Sequence, residues 1–247
     1  MSVIEATGPE VLPLGQDGVL VRFSRTPSSE AAGAVLAFAA AMRGTLPEGT
    51  IETVPSLTSV LVRFDPARLG RAALAELLAQ RARSRDWLAA PLPAPPRRWS
   101  VPVAFGGEAG PQLAEFAELA GISETRLVEE ATGTDLRVLA IGFTAGLPYL
   151  GLLPPDWDVP RQPQLTKQVP AGTVAAAVRQ LVVFPADSAT GWRRIGRTAF
   201  RPFLQARAEP FLLRPGDAMR LVRVSEAEMA ALEDAEGIGG ATCEVVS

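Results

Sequence analysis

The sequence predicts an α+β protein: an N-terminal α/β sandwich of the ferredoxin-like kind, followed by a β-rich barrel or sandwich. Three observations carry this. The first 90 or so residues read as strands and helices in the order βαββα. Pro91, Pro93, Pro95 and Pro96 then form a stiff, extended connector. Beyond it the apolar runs are short and separated by Gly and Pro, as in barrels and sandwiches. The expected boundaries are residues 1–90 for the first domain, 91–98 for the linker, 99–236 for the second domain and 237–247 for a flexible tail.

Each element has a local reason. Val11 to Ser24 alternates and carries β-branched residues around a Gly15–Gly18 turn, which reads as strand. Ser28 or Ser29 caps a helix with Glu30 in its first turn, and the Ala-rich run continues to Arg43 and stops at Gly44. Ile51–Val54 and Thr58–Phe64 are strand-like. Leu69 to Ala82 aligns Leu69, Ala73, Leu74, Leu77 and Leu78 on one helical face. After the connector, Trp99–Phe105 reads as a strand, and Pro111–Ala120 and Ser123–Ala131 as short helices. The strands expected next are Leu136–Ile141, Gly172–Val178, Leu181–Phe184, Arg194–Ala199 and Met219–Val224, before a terminal helix Ser225–Glu233.

Composition excludes several function classes. A net charge of -3 with no basic cluster argues against nucleic acid or an anionic membrane as partner. Met1–Gly15 has neither a basic nor an apolar segment of the secretory kind, and the longest apolar-rich piece is broken at Arg43. The single Cys243 permits no internal disulfide and points to the cytoplasm. The chain has no histidine. That removes Ser-His-Asp and Cys-His nucleophile systems and the commonest zinc ligand, so no metal site is expected. Acid–base chemistry must use carboxylates, Lys, Tyr or a partner's residues.

The segment Gly142-Phe-Thr-Ala-Gly-Leu-Pro-Tyr-Leu-Gly151 opens a series of collinear boxes. Pro160-Arg161, Val169-Pro-Ala-Gly-Thr-Val174, Gly191-Trp192 and Gly196-Arg-Thr198 follow it, with Arg214-Pro-Gly-Asp217 beyond. In these boxes the chain resembles the family of the 5-oxoprolinase B subunit, KipI and allophanate hydrolase subunit 1, over residues 11 to 224 or so. The resemblance implies that the second domain is a cyclophilin-like β-barrel. It also implies a paralogous partner (the 5-oxoprolinase C subunit or a KipA-like protein), an A-type protein beside it, and ATP as cofactor. Activities implied are ATP-dependent opening of 5-oxoproline to glutamate, or allophanate hydrolysis. The alternatives are a non-catalytic KipI-like regulator that inhibits a histidine kinase, and a pocket repurposed for a more apolar molecule.

The departures from that pattern bear on chemistry. Ala131 stands where the family has a histidine. Leu165-Thr166 stands where the family has Pro-Arg, and Gln168 at a following basic position. Val178-Arg-Gln-Leu-Val182 replaces a Gly-Gly-Gln-Thr-Gly segment, and Ser188-Ala-Thr-Gly-Trp192 replaces Ser-Pro-Gly-Gly-Trp.

The candidate substrate-binding residues are Phe143, Tyr149, Arg161, Lys167, Gln180, Trp192, Arg197 and Thr198. Phe143 and Tyr149 wall a pocket or pack in the core, with the Tyr149 hydroxyl as a donor. Arg161 suits a carboxylate through its planar fork, or forms a surface ion pair. Lys167 replaces a lost cation or is simply exposed. Gln180 sits between apolar runs and lines a pocket or points outward. Arg197 and Thr198 contact an anion or hold structure. The catalytic residue is unknown; Glu108, in a further piece of the resemblance at Val101–Pro111, and Asp217 are the carboxylates within family boxes. Gly142, Gly146 and Gly151 serve ligand approach or tight turns. The Gly106–Gly110 piece lacks the Lys-Ser/Thr ending of a P-loop.

Overall fold

The computed structural model describes residues 8–246; residues 1–7, part of the segment read for a secretory signal, and residue 247 lie outside it. The chain divides into two compact units between Ala94 and Pro95.

In the first unit, β1 (Glu10–Leu14) and β2 (Gly18–Arg22) form a hairpin. Then come α1 (Ser29–Met42), β3 (Thr50–Pro55), β4 (Ser59–Phe64) and α2 (Arg71–Ala82). The sheet order is β1-β2-β4-β3, antiparallel throughout. β2-α1-β3-β4-α2 is therefore the ferredoxin-like split βαβ arrangement. The edge beside β2 is filled by β1, so the element order is ββαββα rather than the expected βαββα. In β4, Val60, Val62 and Phe64 are buried while Ser59, Leu61 and Arg63 are partly exposed, the period-two signature of a one-sided sheet. Ser28 starts α1 by accepting from the Ala31 N–H at 3.1 Å, a cap typically worth about 1 kcal/mol. Phe38 of α1 meets Phe23 and Trp87 edge-on, at 5.3 and 5.1 Å between ring centres.

The second unit begins with β5 (Arg97–Phe105), α3 (Leu113–Ala120), α4 (Glu124–Gly133), β6 (Leu136–Ile141) and β7 (Pro148–Gly151). After a 3₁₀ turn at Pro155–Trp157 follow β8 (Thr166–Val169), β9 (Thr173–Ala177), β10 (Gln180–Val183) and β11 (Ser188–Thr190). β12 (Arg193–Arg197), β13 (Ala218–Arg223), α5 (Glu226–Asp234) and β14 (Thr242–Val245) complete it. The strands run β12-β9-β10-β7-β6-β13-β5, and β12 also pairs with β5, which closes a seven-stranded barrel. Every pairing in it is antiparallel except β13 with β5. β8 and β11 form a separate two-stranded sheet.

The barrel interior holds Val101 and Val103 of β5, Leu150 of β7, Leu181 and Val183 of β10, and Met219 and Leu221 of β13. Phe116 of α3 and Leu127 of α4 join the same cluster. β9 and β10 are buried on both faces, because a second cluster lies outside the barrel wall. It comprises Leu147, Val169, Ala175, Ala177, Val182, Phe184 and Trp192.

Residues 237–247 are not a frayed tail through their described length. Thr242–Val245 pairs with Arg97–Ser100 of β5, covering the part of that edge which β12, paired only at Ala104 and Phe105, leaves free. β7, β8 and β11 were also not expected as strands; each is four residues or fewer, and Pro148 and Gly151 bound β7.

Closure at β12 is reinforced by the loop after β5. Gly106 N–H donates to Ile195 O at 3.2 Å, Gln112 N–H to Arg194 O at 2.9 Å, and Arg194 N–H to the Gln112 amide oxygen at 3.0 Å.

Candidate functional site

A cleft of about 270 Å³ opens on the outer face of the barrel wall. Its floor is Tyr149 of β7, Val182 of β10 and the flanking Leu147 and Phe184. Arg161, Gln162 and Leu165, between the 3₁₀ turn and β8, form one side. Ala189, Thr190, Gly191 and Trp192 form the other, with Phe143 at the mouth. The register explains the floor: Tyr149 pairs with Val182 across β7 and β10, so both side chains project to the same face. Leu150 and Leu181, one residue along, point into the barrel instead.

Trp192 organises the polar groups. Its ring is 6.0 Å from the Tyr149 ring, nearly edge-on, and the Arg161 guanidinium lies 5.3 Å from its centre. Arg161 makes no ion pair among the described residues. Burial pushes the Tyr149 hydroxyl above the ordinary tyrosine range, with the Arg161 charge pulling the other way. The phenol thus stays protonated and able to donate at neutral pH. The remaining polar wall groups are engaged. The Gln162 amide accepts from Gln112 at 2.9 Å and donates to Trp192 O at 3.2 Å. The Thr190 hydroxyl accepts from the Trp192 N–H at 3.0 Å.

Of the candidate residues, the cleft unites Phe143, Tyr149, Arg161 and Trp192. Phe143 is 74% exposed and holds a left-handed backbone (φ 70°), an uncommon combination for an aromatic residue. Lys167 is exposed on β8 and does not line the cleft. Gln180 is buried on β10, two residues from Val182 on the same face, and its amide nitrogen has no partner among the described residues. Arg197 pairs with Glu233 of α5, away from the cleft. Thr198 is fully buried, and its hydroxyl accepts from the Phe200 N–H at 3.0 Å, a structural bond.

The carboxylates divide similarly. Asp217 is fully buried and held by Arg97 and the Arg214 N–H, which makes it a structural ion-pair partner and not a base. Glu108 is exposed in a separate hollow of about 140 Å³ beside α5, with Arg197, Glu226 and Glu233. Ala131 is fully buried in the barrel's inner cluster, so the position without histidine does not face the cleft. Val178 and Arg179 form the two-residue β9–β10 turn at φ 45° and 64°, where a Gly pair would be unstrained. Among these replacements only Val182, Leu165, Ala189 and Thr190 reach the cleft. Leu147, Gln162 and Phe184 were not among the candidates; Leu147 directly precedes β7 and reaches the floor through the cluster it shares with Val182, Phe184 and Trp192.

The Gly106–Gly110 loop does not fit a nucleotide phosphate. The N–H groups of Gly106, Glu108 and Gly110 donate to Ile195 O, to the Glu226 carboxylate and to Gly106 O, respectively. Among the described residues no group of three or more His, Cys, Asp or Glu is placed to hold a metal ion, and no helix is long and apolar enough to cross a membrane.

The chain is 36% identical over 178 residues to the 5-oxoprolinase B subunit of Escherichia coli O157:H7, covering 71% of this chain and 79% of that protein. It is 29% identical to the 5-oxoprolinase B subunit of Bacillus subtilis (strain 168), over 91% of this chain and 97% of that one. The crystal structure of TTHA0988 superposes with a TM-score of 0.67 at 32% identity over 84% of this chain, which spans 40% of the TTHA0988 chain. The family model for the carboxyltransferase domain, subdomain C and D, matches residues 9–213, and the chain belongs to that family.

Proposed function

We propose that this chain is one component of a two-protein, ATP-dependent amide or lactam hydrolase resembling 5-oxoprolinase, and that its cleft binds a small carboxylate-bearing substrate. The observation that carries the reading is that the Tyr149 ring and an Arg161 guanidinium with no counter-ion among the described residues both pack against the one Trp192 ring in the cleft. A carboxylate at that point receives a charge-assisted bond from Arg161 and a second from the phenol. Trp192 and Phe143 supply planar surface for the rest of the molecule. The relatives named as 5-oxoprolinase B subunits supply the reaction class.

The residues lining the cleft include no carboxylate, Lys or His, so they bind and orient and do not transfer protons at neutral pH. The acid and base then come from a paralogous C-type or KipA-like protein, the second of the two, and ATP is held elsewhere in that assembly, to which an A-type protein is an additional partner. The test is to purify the chain with its paralogous partner and measure ATP hydrolysis with and without 5-oxoproline or a urea derivative. Substrate-stimulated hydrolysis is expected; its absence with every such compound rejects the reading.

The lack of a proton-transfer group among the cleft-lining residues also favours a second reading, a KipI-like regulator. That reading predicts inhibition of histidine-kinase autophosphorylation by the chain, with no substrate turnover.

A further inference from the structure

We infer that Arg193 is a positioning residue: from behind the cleft wall it holds the stretch of chain that carries Arg161, and so keeps the Arg161 guanidinium against Trp192. The inference rests on the reading of this cleft as the substrate site, with Arg161 as its anion-binding point. Arg193 opens β12 and directly follows Trp192, yet it does not line the cleft. It pairs with Ala176 of the inner cluster, whereas Trp192 belongs to the outer one, so the two neighbours leave the wall on opposite faces. Only 9% of the Arg193 side chain is exposed, and burying a guanidinium is costly unless its donors are satisfied. Two acceptors at 2.8 Å satisfy them: Glu115 of α3, and the carbonyl of Pro160, the residue before Arg161. The Arg193 bond also holds the Glu115 carboxyl below the usual carboxylate range, so this pair stays charged at neutral pH.

The other flank of Arg161 is tied to the same run of β11–β12. The Gln162 N–H donates to Gly191 O at 2.7 Å, and the Gln162 side chain donates to Trp192 O and accepts from Gln112. Residues 160 and 162 are therefore both bonded to residues 191–193, the run that carries Trp192. A Cβ at Gly191 would lie 3.3 Å from Gln162 O and 3.6 Å from the Arg161 Cβ, so the two runs pass in van der Waals contact. Arg161 itself has a long side chain and no ion pair among the described residues; its backbone and the Trp192 ring fix its place. Holding such a side chain before substrate arrives removes part of the ordering cost of binding. Gly191, Trp192 and Gln112 fix residue 162, and Arg193 is the side chain that fixes residue 160.

Two measurements on the full chain test this with Arg193→Met, which leaves only the half-exposed Glu115 without its partner and is expected to fold. In the lone protein, the Arg161 and Gln162 amides should exchange with deuterated solvent at least about tenfold faster than in the wild type, while those of β9 and β10 keep their rates. In the assembly with the paralogous partner, the KM of the compound that stimulates ATP hydrolysis, 5-oxoproline or a urea derivative, should rise about tenfold, with kcat changed less than about twofold. Arg193→Lys, able to hold one of the two acceptors, should give intermediate values in both. On an Arg161→Met background, Arg193→Met should raise KM no further, because both substitutions remove one interaction; a merely structural role makes the two effects add. Unaltered exchange, an unaltered KM or additive effects would each overturn the inference and leave the hydrolase reading intact. A wild-type assembly without substrate-stimulated hydrolysis would reject that reading instead, and the exchange rates would still decide whether Arg193 holds the segment.

Discussion

Arg97 closes a two-point ion pair on Asp217, joining the first residue of β5 to the residue before β13 where those strands run parallel. Asp217 is fully buried, and it also accepts from the Arg214 N–H at 2.8 Å. Asp217→Asn leaves the Arg97 charge without its counter-ion and is expected to destabilise the second unit by about 3 kcal/mol in urea unfolding. An Asn variant of native stability would mean that the pair is incidental.

Val178 holds φ 45° in the β9–β10 turn, pinned by its N–H to Val159 O at 2.8 Å. A left-handed β-branched residue is strained by roughly 1–2 kcal/mol. Val178→Asn, suited to the first position of this turn type, should raise stability by about 1 kcal/mol in the same assay. A loss would show that the Val178 side chain contributes more than its backbone strain removes.

Gly146 turns the chain at φ 76°, and a Cβ there would lie 2.3 Å from that of Phe203. Gly146→Ala combines backbone strain with a clash, so a loss of at least about 2 kcal/mol is expected by thermal or chemical denaturation. An Ala variant that melts like the wild type would rule out this packing.

Glu10 accepts from Arg22 at 2.8 Å and from Arg25 at 2.9 Å, and these bonds lower its pKa from 4.5 to about 2. Because the folded-state value is the lower one, the stabilisation is present above about pH 4.5 and is lost as pH falls toward 2. Glu10→Gln should therefore flatten the acid limb of a stability-versus-pH curve between those limits. An unchanged limb would show that the two arginines do not hold Glu10 in solution.

Helices and long strands were legible in the sequence because their signals are local. Ser28 caps α1, and Leu74 and Leu78 mark the buried face of α2. β14 was not, because Gly237, Gly239 and Gly240 mask a strand whose only support is a distant edge of β5. The cleft was half legible. Tyr149, Arg161 and Trp192 stand out as residue types near turns. Arg197 and Thr198 stand beside the same boxes, yet pairing with Glu233 and Phe200 takes them into structure. Sequence spacing does not reveal which face of a barrel wall a residue takes. Leu181 and Val182 are adjacent and end up on opposite sides.

The loop that follows β5 gives the barrel a clasp. β12 and β5 share only the pairs Gly196–Phe105 and Arg197–Ala104, so the ring is held shut there by Gly106 and Gln112 as much as by strand pairing. This is the place where the wall should breathe first. Amides of β12 facing that seam should exchange with deuterated solvent sooner than those between β9 and β10, and Gln112→Ala should widen the difference.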